Sequence, residues 1–402
     1  MDKKKVPEIR FEGFSGEWEE RKVENVAVIN PSSVMPDVFE YVDLESVIDT
    51  KIINHRSETQ KTAPSRAQRV ARHGDVFFQT VRPYQKNNCI YYGENDAYVF
   101  STGYAQMRPK EDGVFLLAAL QNDSFVKKVL ECCTGTGYPA INANILADMA
   151  LLYPPTILEQ QTIGAYFERL DSLIADAETR HEKLLAVKKS LLQKMFPQEG
   201  ESVPRIRFEG FSGEWEYIPL KNIAQKVVEK NTERAYTETF TNSAELGIIN
   251  QRDYFDHDIG NTENMNTYYI VSNDDFIYNP RISKDAPVGP IKRNKLGRTG
   301  IMSPLYTVFR THDVDNTFLE WYFNSSCWHS YMYFNGDNGA RYDRFSIKND
   351  VFFDMLIPYP EEDEQKAIGA YFDNIDKLIE NQEQRLEKLK QMKSALLQKM
   401  FV

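Results

Sequence analysis

Two stretches of the chain place apolar residues at alternating steps of four and three. The first runs Ile163, Phe167, Leu170, Ile174, Ala177, His181, Leu184, Lys188, Leu191 and Met195; the second runs Ile368, Phe372, Ile375, Ile379, Gln382, Leu386, Leu389, Lys393, Leu396 and Met400. This is the period of a coiled-coil seam, and it predicts two long helices. Thr156 with Glu159 three positions on has the spacing of a capping box, and Pro360 stands before an acidic run that suits a helix N-terminus. Pro197 ends the first pattern. The interruptions Ala177/Gln382 and Lys188/Lys393 read either as register devices or as faces turned to a partner. Elsewhere short β-branched or aromatic runs bounded by turn residues, Val76–Val81, Ala97–Ser101, Phe276–Tyr278 and Leu305–Phe309, predict strands. Val114–Leu130 and Thr317–Phe334 predict helices.

The chain also repeats. Ile9–Glu19 returns letter for letter at Ile206–Glu216, 197 positions on; Ile163–Phe167 returns at Ile368–Phe372 and Leu191–Phe196 at Leu396–Phe401, both 205 positions on. Between these anchors the two halves look unlike. The layout is variable, constant, variable, constant. It predicts two α/β lobes joined by two long antiparallel coiled-coil helices, with an internal pseudo-twofold repeat; the competing arrangement lays each helix on its own lobe. Boundaries are expected at 1–155 and 201–358 for the lobes and at 156–200 and 359–402 for the helical regions.

At 402 residues and 42% hydrophobic, the chain is long enough for two cores and lacks a disordered composition. Four cysteines without a CxxC suggest neither a disulfide framework nor a zinc site. No run approaches a membrane span and no apolar stretch follows Met1–Lys5, so a cytoplasmic protein is expected. A net charge of −11 argues against coating nucleic acid by bulk electrostatics. Local basic segments exist nonetheless: Lys51–Arg72 and Arg281–Arg298 each hold six basic residues against one acid.

Catalytic signatures are wanting. No phosphate-binding glycine loop occurs, and Gly13-Phe-Ser-Gly16 lacks the GxSxG spacing of a nucleophile elbow. Asn279-Pro-Arg-Ile282 has only half of an adenine-methyltransferase motif. Glu364-x-Lys366 reads as a charge pair at a helix start, and His312-Asp313 has no nearby second ligand. No catalytic residue, metal or cofactor is expected.

Two unlike lobes, two near-identical helices and the repeated Arg-Phe-x-Gly-Phe-x-Gly-Glu-Trp opening resemble the specificity (S) subunit of type I restriction-modification systems over essentially the whole chain. Gly74-Asp75, Thr80-Val-Arg-Pro83, Ser101-Thr-Gly-Tyr104, Tyr138-Pro-Ala-Ile-Asn142 and Glu159-Gln-x-x-Ile163 carry the likeness in the first half. Gly289-Pro290, Gly300–Tyr306 and Tyr342 carry it in the second. The resemblance implies that each lobe is a target-recognition domain reading one half of a bipartite, asymmetric site in double-stranded DNA. It implies that the helices set the spacer and dock two methyltransferase subunits, and that motor endonuclease subunits join the assembly.

Candidate DNA contacts follow from side-chain chemistry. Arg82, after a strand and before Pro83, can fork onto guanine. Arg66, Arg69 and Arg72, and Arg281, Lys292, Arg293, Lys295 and Arg298, are candidates for phosphate contact. Thr80, Lys86, Tyr104, Tyr138, Asn142, Arg341 and Tyr342 complete the set. Trp18 and Trp215 are read as structural. Tyr166, Leu173, Leu185 and Leu192, with Tyr371, Leu378 and Leu397 in the other copy, are the candidate partner interface. Two other readings stay open: a two-lobed interaction scaffold without sequence-specific DNA binding, and an enzyme with an unrecognised site.

Overall fold

A computed structural model describes residues 5–94, 97–135, 137–254, 262–338 and 343–402. The chain divides into two compact units, residues 1–179 with 383–402, and residues 180–382. Both long helices form, Ile157–Lys194 and Glu362–Lys399, each 38 residues and thus about 57 Å long. Each gives its N-terminal part to one unit and its C-terminal part to the other.

In the first unit the strand Glu19–Lys22 pairs antiparallel with Ala150–Tyr153. A four-stranded antiparallel sheet follows the order Ala27–Ile29, Tyr104–Pro109, Val76–Gln79, Cys89–Ile90. The second unit repeats both features, with Glu216–Pro219 against Leu356–Tyr359 and the order Ala224–Lys226, Thr307–Thr311, Phe276–Tyr278, Ile291–Arg293. The units part company beyond this frame. The first adds a mixed sheet ordered Arg56–Thr59, Val38–Val42, Tyr98–Ser101, Ala67–Val70, whereas the second has short strand pairs, 240–243 with 247–250, 269–271 with 300–302 and 337–338 with 345–346, the first two linked by a bridge from Thr239 to Ile301.

Each expected lobe helix is broken in two. Gly113–Gln121 stops at Asn122, whose side chain accepts from Ser124 N at 2.8 Å and starts Asp123–Glu131. Asn316–Asn324 stops at Ser325, and His329–Asn335 follows. The first helix of each pair is capped alike: Asp112 accepts from Phe115 N at 2.7 Å and Asp315 from Phe318 N at 2.8 Å.

The repeated segments are the joints of this frame. Arg10 donates to both carboxylate oxygens of Glu159 at 2.7 Å and to the carbonyls of Gly16 and Ser15, while Trp18 Nε1 donates to Glu159 at 3.3 Å. Arg207, Glu364, Gly213, Ser212 and Trp215 reproduce every one of these bonds. Glu159 and Glu364 are both 1% exposed. The leading segment is thereby clipped to the first turn of the long helix. Thr156 Oγ1 does cap Glu159 N, at 3.3 Å, but the Glu159 carboxylate goes to arginine instead of closing a capping box.

The Ile-Gly-Ala-Tyr-Phe repeat is a close approach. A Cβ on Gly164 would lie 2.6 Å from Asp112 Oδ1 and 3.1 Å from Phe115 N; on Gly369 it would lie 3.1 Å from Thr317 Cβ and 3.2 Å from Phe318 N. Phe401, from the Leu-Leu-Gln-Lys-Met-Phe repeat, completes the first core against Trp18, Phe115 and Phe167, and Phe196 completes the second against Phe318, Tyr322 and Phe372.

Both seam lysines are held by acids. Lys393 pairs with Asp171, and Lys390 with Glu178 at 2.9 Å, so numbering falls along one helix as it rises along the other. In the second unit Lys188 pairs with Asp376 and lies 4.7 Å over the Trp321 ring. Such cross-helix pairs are what a register device requires of these lysines. No described helix is long and apolar enough to cross a membrane.

Candidate nucleic-acid interface

In each unit one ion pair on a buried aspartate ties the sheet to the turn before the strand that is second in chain order, Val76–Gln79 in one and Phe276–Tyr278 in the other. Arg108 binds both oxygens of Asp75 at 2.9 Å, and Asp75 Oδ2 also accepts from Arg72 N and Gln106 Nε2. Arg310 binds Asp275 at 2.7 and 2.9 Å, and Asp275 accepts from Ser272 N. Both aspartates are at most 1% exposed. With that turn fixed, the strand and the loop that leaves it have a defined course.

In the first unit the loop after Val76–Gln79 is stitched to 134–141. Val81 bridges Ala140, Arg82 N donates to Pro139 O at 2.8 Å, and Ile141 N donates to Thr80 O at 3.0 Å. Arg82 stands at φ +54° and Lys86 at φ +55°, flanking the turn Pro83–Gln85. Left-handed backbone at a branched-out, non-glycine residue costs on the order of 1 kcal/mol or more, and such strain concentrates at functional positions. The Arg82 guanidinium lies 4.6 Å over the ring of Tyr138, itself 68% exposed. Two residues 56 positions apart in the sequence thus form one exposed cation–π platform.

The second unit builds the same junction with other residues. Arg281 bridges Arg344, Ile282 N donates to Asp343 O at 3.1 Å and Phe345 N to Pro280 O at 2.7 Å. Arg281 is exposed. Asn279 spends both ends of its amide on structure, accepting from Arg281 N and donating to Asn242 O. Arg341 and Tyr342 lie outside the described residues.

Other candidates are placed differently from expectation. Tyr104 is 1% exposed, its ring against Phe77 and Phe100, and burial raises its pKa strongly; it belongs to the core. Thr80 is buried and gives its hydroxyl to Gly103 O at 2.8 Å. Asn142 caps the helix Ala143–Asp148 through Asn144 N. Lys86 is paired with Asp123, and this bond to Lys86 holds the Asp123 carboxyl below its ordinary range. Of the first basic segment, Arg66 and Arg72 are exposed. Arg69 is half-buried on the edge strand Ala67–Val70, and desolvation lowers its pKa.

The basic residues of 292–298 all have polar or acidic partners, with Lys295 and Arg298 still exposed. Lys292 is half-buried and donates to Asn324 Oδ1 at 2.7 Å; burial lowers its pKa, with Glu320, Lys188 and Asp376 as charged neighbours. Arg293 lies 3.2 Å from Glu320 and 3.4 Å from Asp274, Lys295 lies 3.3 Å from Glu320, and Arg298 grips Glu238 with bonds of 2.7 and 2.9 Å. Counting charge along the sequence missed these acids because they arrive from Asp274, Glu238 and the helix Asn316–Asn324.

The candidate partner faces divide as well. Leu185 and Leu378 are 45% and 55% exposed. Leu173 is partly covered, Leu192 packs on the second core and Leu397 on the first. Tyr166 and Tyr371 sit edge-on against Phe11 and Phe208 at 5.5 and 5.3 Å, tying the repeated opening to the helix.

No family model matches the chain. The MjaVIII specificity subunit of a type I restriction enzyme from Methanocaldococcus jannaschii is 23% identical over 307 residues, 71% of this chain and 68% of that protein. A chain from a structural study of the assembly and conformational transition of the type I restriction-modification system superposes with a TM-score of 0.57 at 21% identity, covering 94% of this chain and 96% of its own. The fold is that of a type I restriction-modification S subunit. The HsdS subunit of Thermoanaerobacter tengcongensis has a TM-score of 0.50 at 21% identity over 96% and 97% of the two chains. The S subunit of M. genitalium has 0.52 at 12% identity over 99% of each. The clips of Arg10–Glu159 and Arg207–Glu364 are among the parts of this S-subunit fold that sequence reasoning missed. Their signal was present, since the repeat preserves arginine, tryptophan and the helix-start glutamate together.

Proposed function

We propose that this chain is the non-catalytic DNA-specificity subunit of a type I restriction-modification complex. Each lobe reads one half of a bipartite, asymmetric site. The two long helices, pairing antiparallel about a pseudo-twofold axis, set the spacer and dock two methyltransferase subunits, with motor endonuclease subunits completing the assembly. The lobes correspond to residues 1–155 and 201–358, and the helical regions to 156–200 and 359–402.

The observation that carries this reading is a frame held by the same residues in both units, from which different loops emerge. A shared frame with divergent loops suits two readers of unlike half-sites. Arg82 on Tyr138, with Arg66 and Arg72, is the reading surface of the first lobe; Arg281 and Arg344 belong to that of the second. Arg341 and Tyr342 remain proposed contacts of the second lobe. Arginine supplies both bidentate base recognition and phosphate contact.

The test is to replace residues 20–153 with the lobe of a relative and to sequence the methylome of the host carrying the methyltransferase partner. One half of the modified site should change while the other half and the spacer stay. Change in both halves, or in neither, refutes modular reading. A chain that gives no salt-sensitive, sequence-selective shift with its partner is an interaction scaffold instead.

A further inference from the structure

The two units differ sharply at one equivalent groove. In the first unit it lies between the end of the lobe helices and the strand Ala150–Tyr153, lined by Ala119, Ser124, Phe125, Lys128, Ala150 and Leu152 among others, and encloses only about 30 Å³. The matching positions of the second unit are Tyr322, Cys327, Trp328, Tyr331, Leu356 and Pro358, and here the cavity is about 450 Å³. Rim residues change in the same direction. Glu20, ion-paired with Lys5, is replaced by Tyr217, and Phe334, 90% exposed, stands where the first unit has Glu131. A charged, closed surface has become an open aromatic one on an unchanged frame.

A cavity of several hundred Å³ accepts one or two side chains or a small ligand. Its floor is Trp328 and Tyr322, both buried, and its walls are Tyr217, Tyr331 and Phe334. Among the described residues lining it there is no lysine or arginine, whereas Glu199 and Glu201 are present. Glu201 already holds Arg205 at 2.9 Å; Glu199 is exposed at the rim. Aromatic faces with a carboxylate beside them attract a cation and repel phosphate.

We propose that this groove docks a protein partner presenting an arginine or lysine on a short apolar segment, one copy per chain because the matching groove of the first unit is closed to about 30 Å³. This goes beyond the DNA-specificity reading and does not depend on it.

Fluorescence anisotropy with the full chain tests it, using labelled pentapeptides of two leucines on either side of a central Arg, Lys, Gln or Glu. The Arg and Lys peptides should bind, the Gln peptide roughly tenfold more weakly, and the Glu peptide weakest. Tyr331→Lys installs the residue of the first unit's equivalent position and should cost the Arg peptide more than tenfold. Phe334→Ala, at an exposed site that leaves folding intact, should weaken all the peptides and so decides the matter if Tyr331→Lys does not fold. No binding, equal affinity for all four peptides, or affinities unchanged in Phe334→Ala overturns the proposal. Loss of duplex DNA retention by Phe334→Ala with peptide binding intact also overturns it, assigning the groove to the nucleic-acid surface.

Discussion

Arg10 and Glu159 are joined by two hydrogen bonds of 2.7 Å across 149 positions of sequence, in a site where the carboxylate is 1% exposed. Removing one partner of such a pair leaves an uncompensated charge and costs about 3 to 5 kcal/mol. Glu159→Ala should therefore lower the stability of the unit formed by residues 1–179 and 383–402. Glu364→Ala should do the same for residues 180–382. Hydrogen exchange followed by mass spectrometry should assign the loss of protection to the matching unit in each case; equal loss in both units for either variant contradicts the assignment.

The helix glycines separate two effects of opposite sign. Replacing a mid-helix glycine by alanine gains about 1 kcal/mol in helix propensity. Overpacking typically costs about 1 to 3 kcal/mol. At Gly164 the new Cβ would meet Asp112 Oδ1 at 2.6 Å, the very oxygen that caps the lobe helix, so the clash should win and Gly164→Ala should destabilise. At Gly369 the nearest atoms are 3.1 and 3.2 Å away. Gly369→Ala should come out near neutral, and thermal melts of the two variants should rank in that order.

Much of the frame was legible because it rests on local signals. The heptad spacing and the prolines at 197 and 360 located both long helices, and the runs at Val76 and Phe276 located the strands that lead into the Arg82 and Arg281 loops. What escaped was long-range. The break at Asn122 depends on a side-chain cap, and the kinship of the lobes lies in Asp75–Arg108 and Asp275–Arg310, two-residue coincidences that no contiguous match reveals. The Arg82–Tyr138 stack joins loops that only the strand bridges bring together. The acidic partners of the basic run 292–298 escaped because they are distant in sequence.

That run supplies a prediction that distinguishes structure from binding. Lys292 and Arg293 are tied to Asn324, Glu320, Asp274 and Thr317. Lys292→Ala with Arg293→Ala should lower the stability of the second unit by leaving Glu320, 13% exposed at its side chain, short of a partner. The salt dependence of DNA binding should stay as it was. A flattened salt slope with an unchanged melt would return these residues to the phosphate-contact set.

Acid should weaken the second unit. His329 lies edge-on to Trp328 at 4.7 Å, and burial holds its pKa below the ordinary 6.5. The unfolded chain therefore takes up the proton first as pH falls. The contribution of neutral His329 is fully present above pH 6.5 and is lost as pH falls from there through the lower folded value. Melts between pH 8 and pH 5 should show this slope, and His329→Gln should reduce it; an unaltered slope places the titration elsewhere.

The stacked pair Arg82 and Tyr138 carries the sharpest prediction for recognition. The guanidinium lies 4.6 Å over the ring, and the arginine backbone is held left-handed by its bond to Pro139. If Arg82 forks onto a base, Arg82→Ala should relax selectivity at one position of one half-site by about 1 to 3 kcal/mol. Arg82→Lys should rescue little, since an ammonium cannot make the bidentate fork. If Tyr138 positions that guanidinium, Tyr138→Phe should retain selectivity and Tyr138→Ala should lose part of it at the same base pair. Competition binding against a panel of single-base variants, with the methyltransferase partner present, reads all four substitutions. Loss spread evenly over every base pair would mean that Arg82 holds the backbone, and loss at a different position in Tyr138→Ala would mean that the two residues read separately.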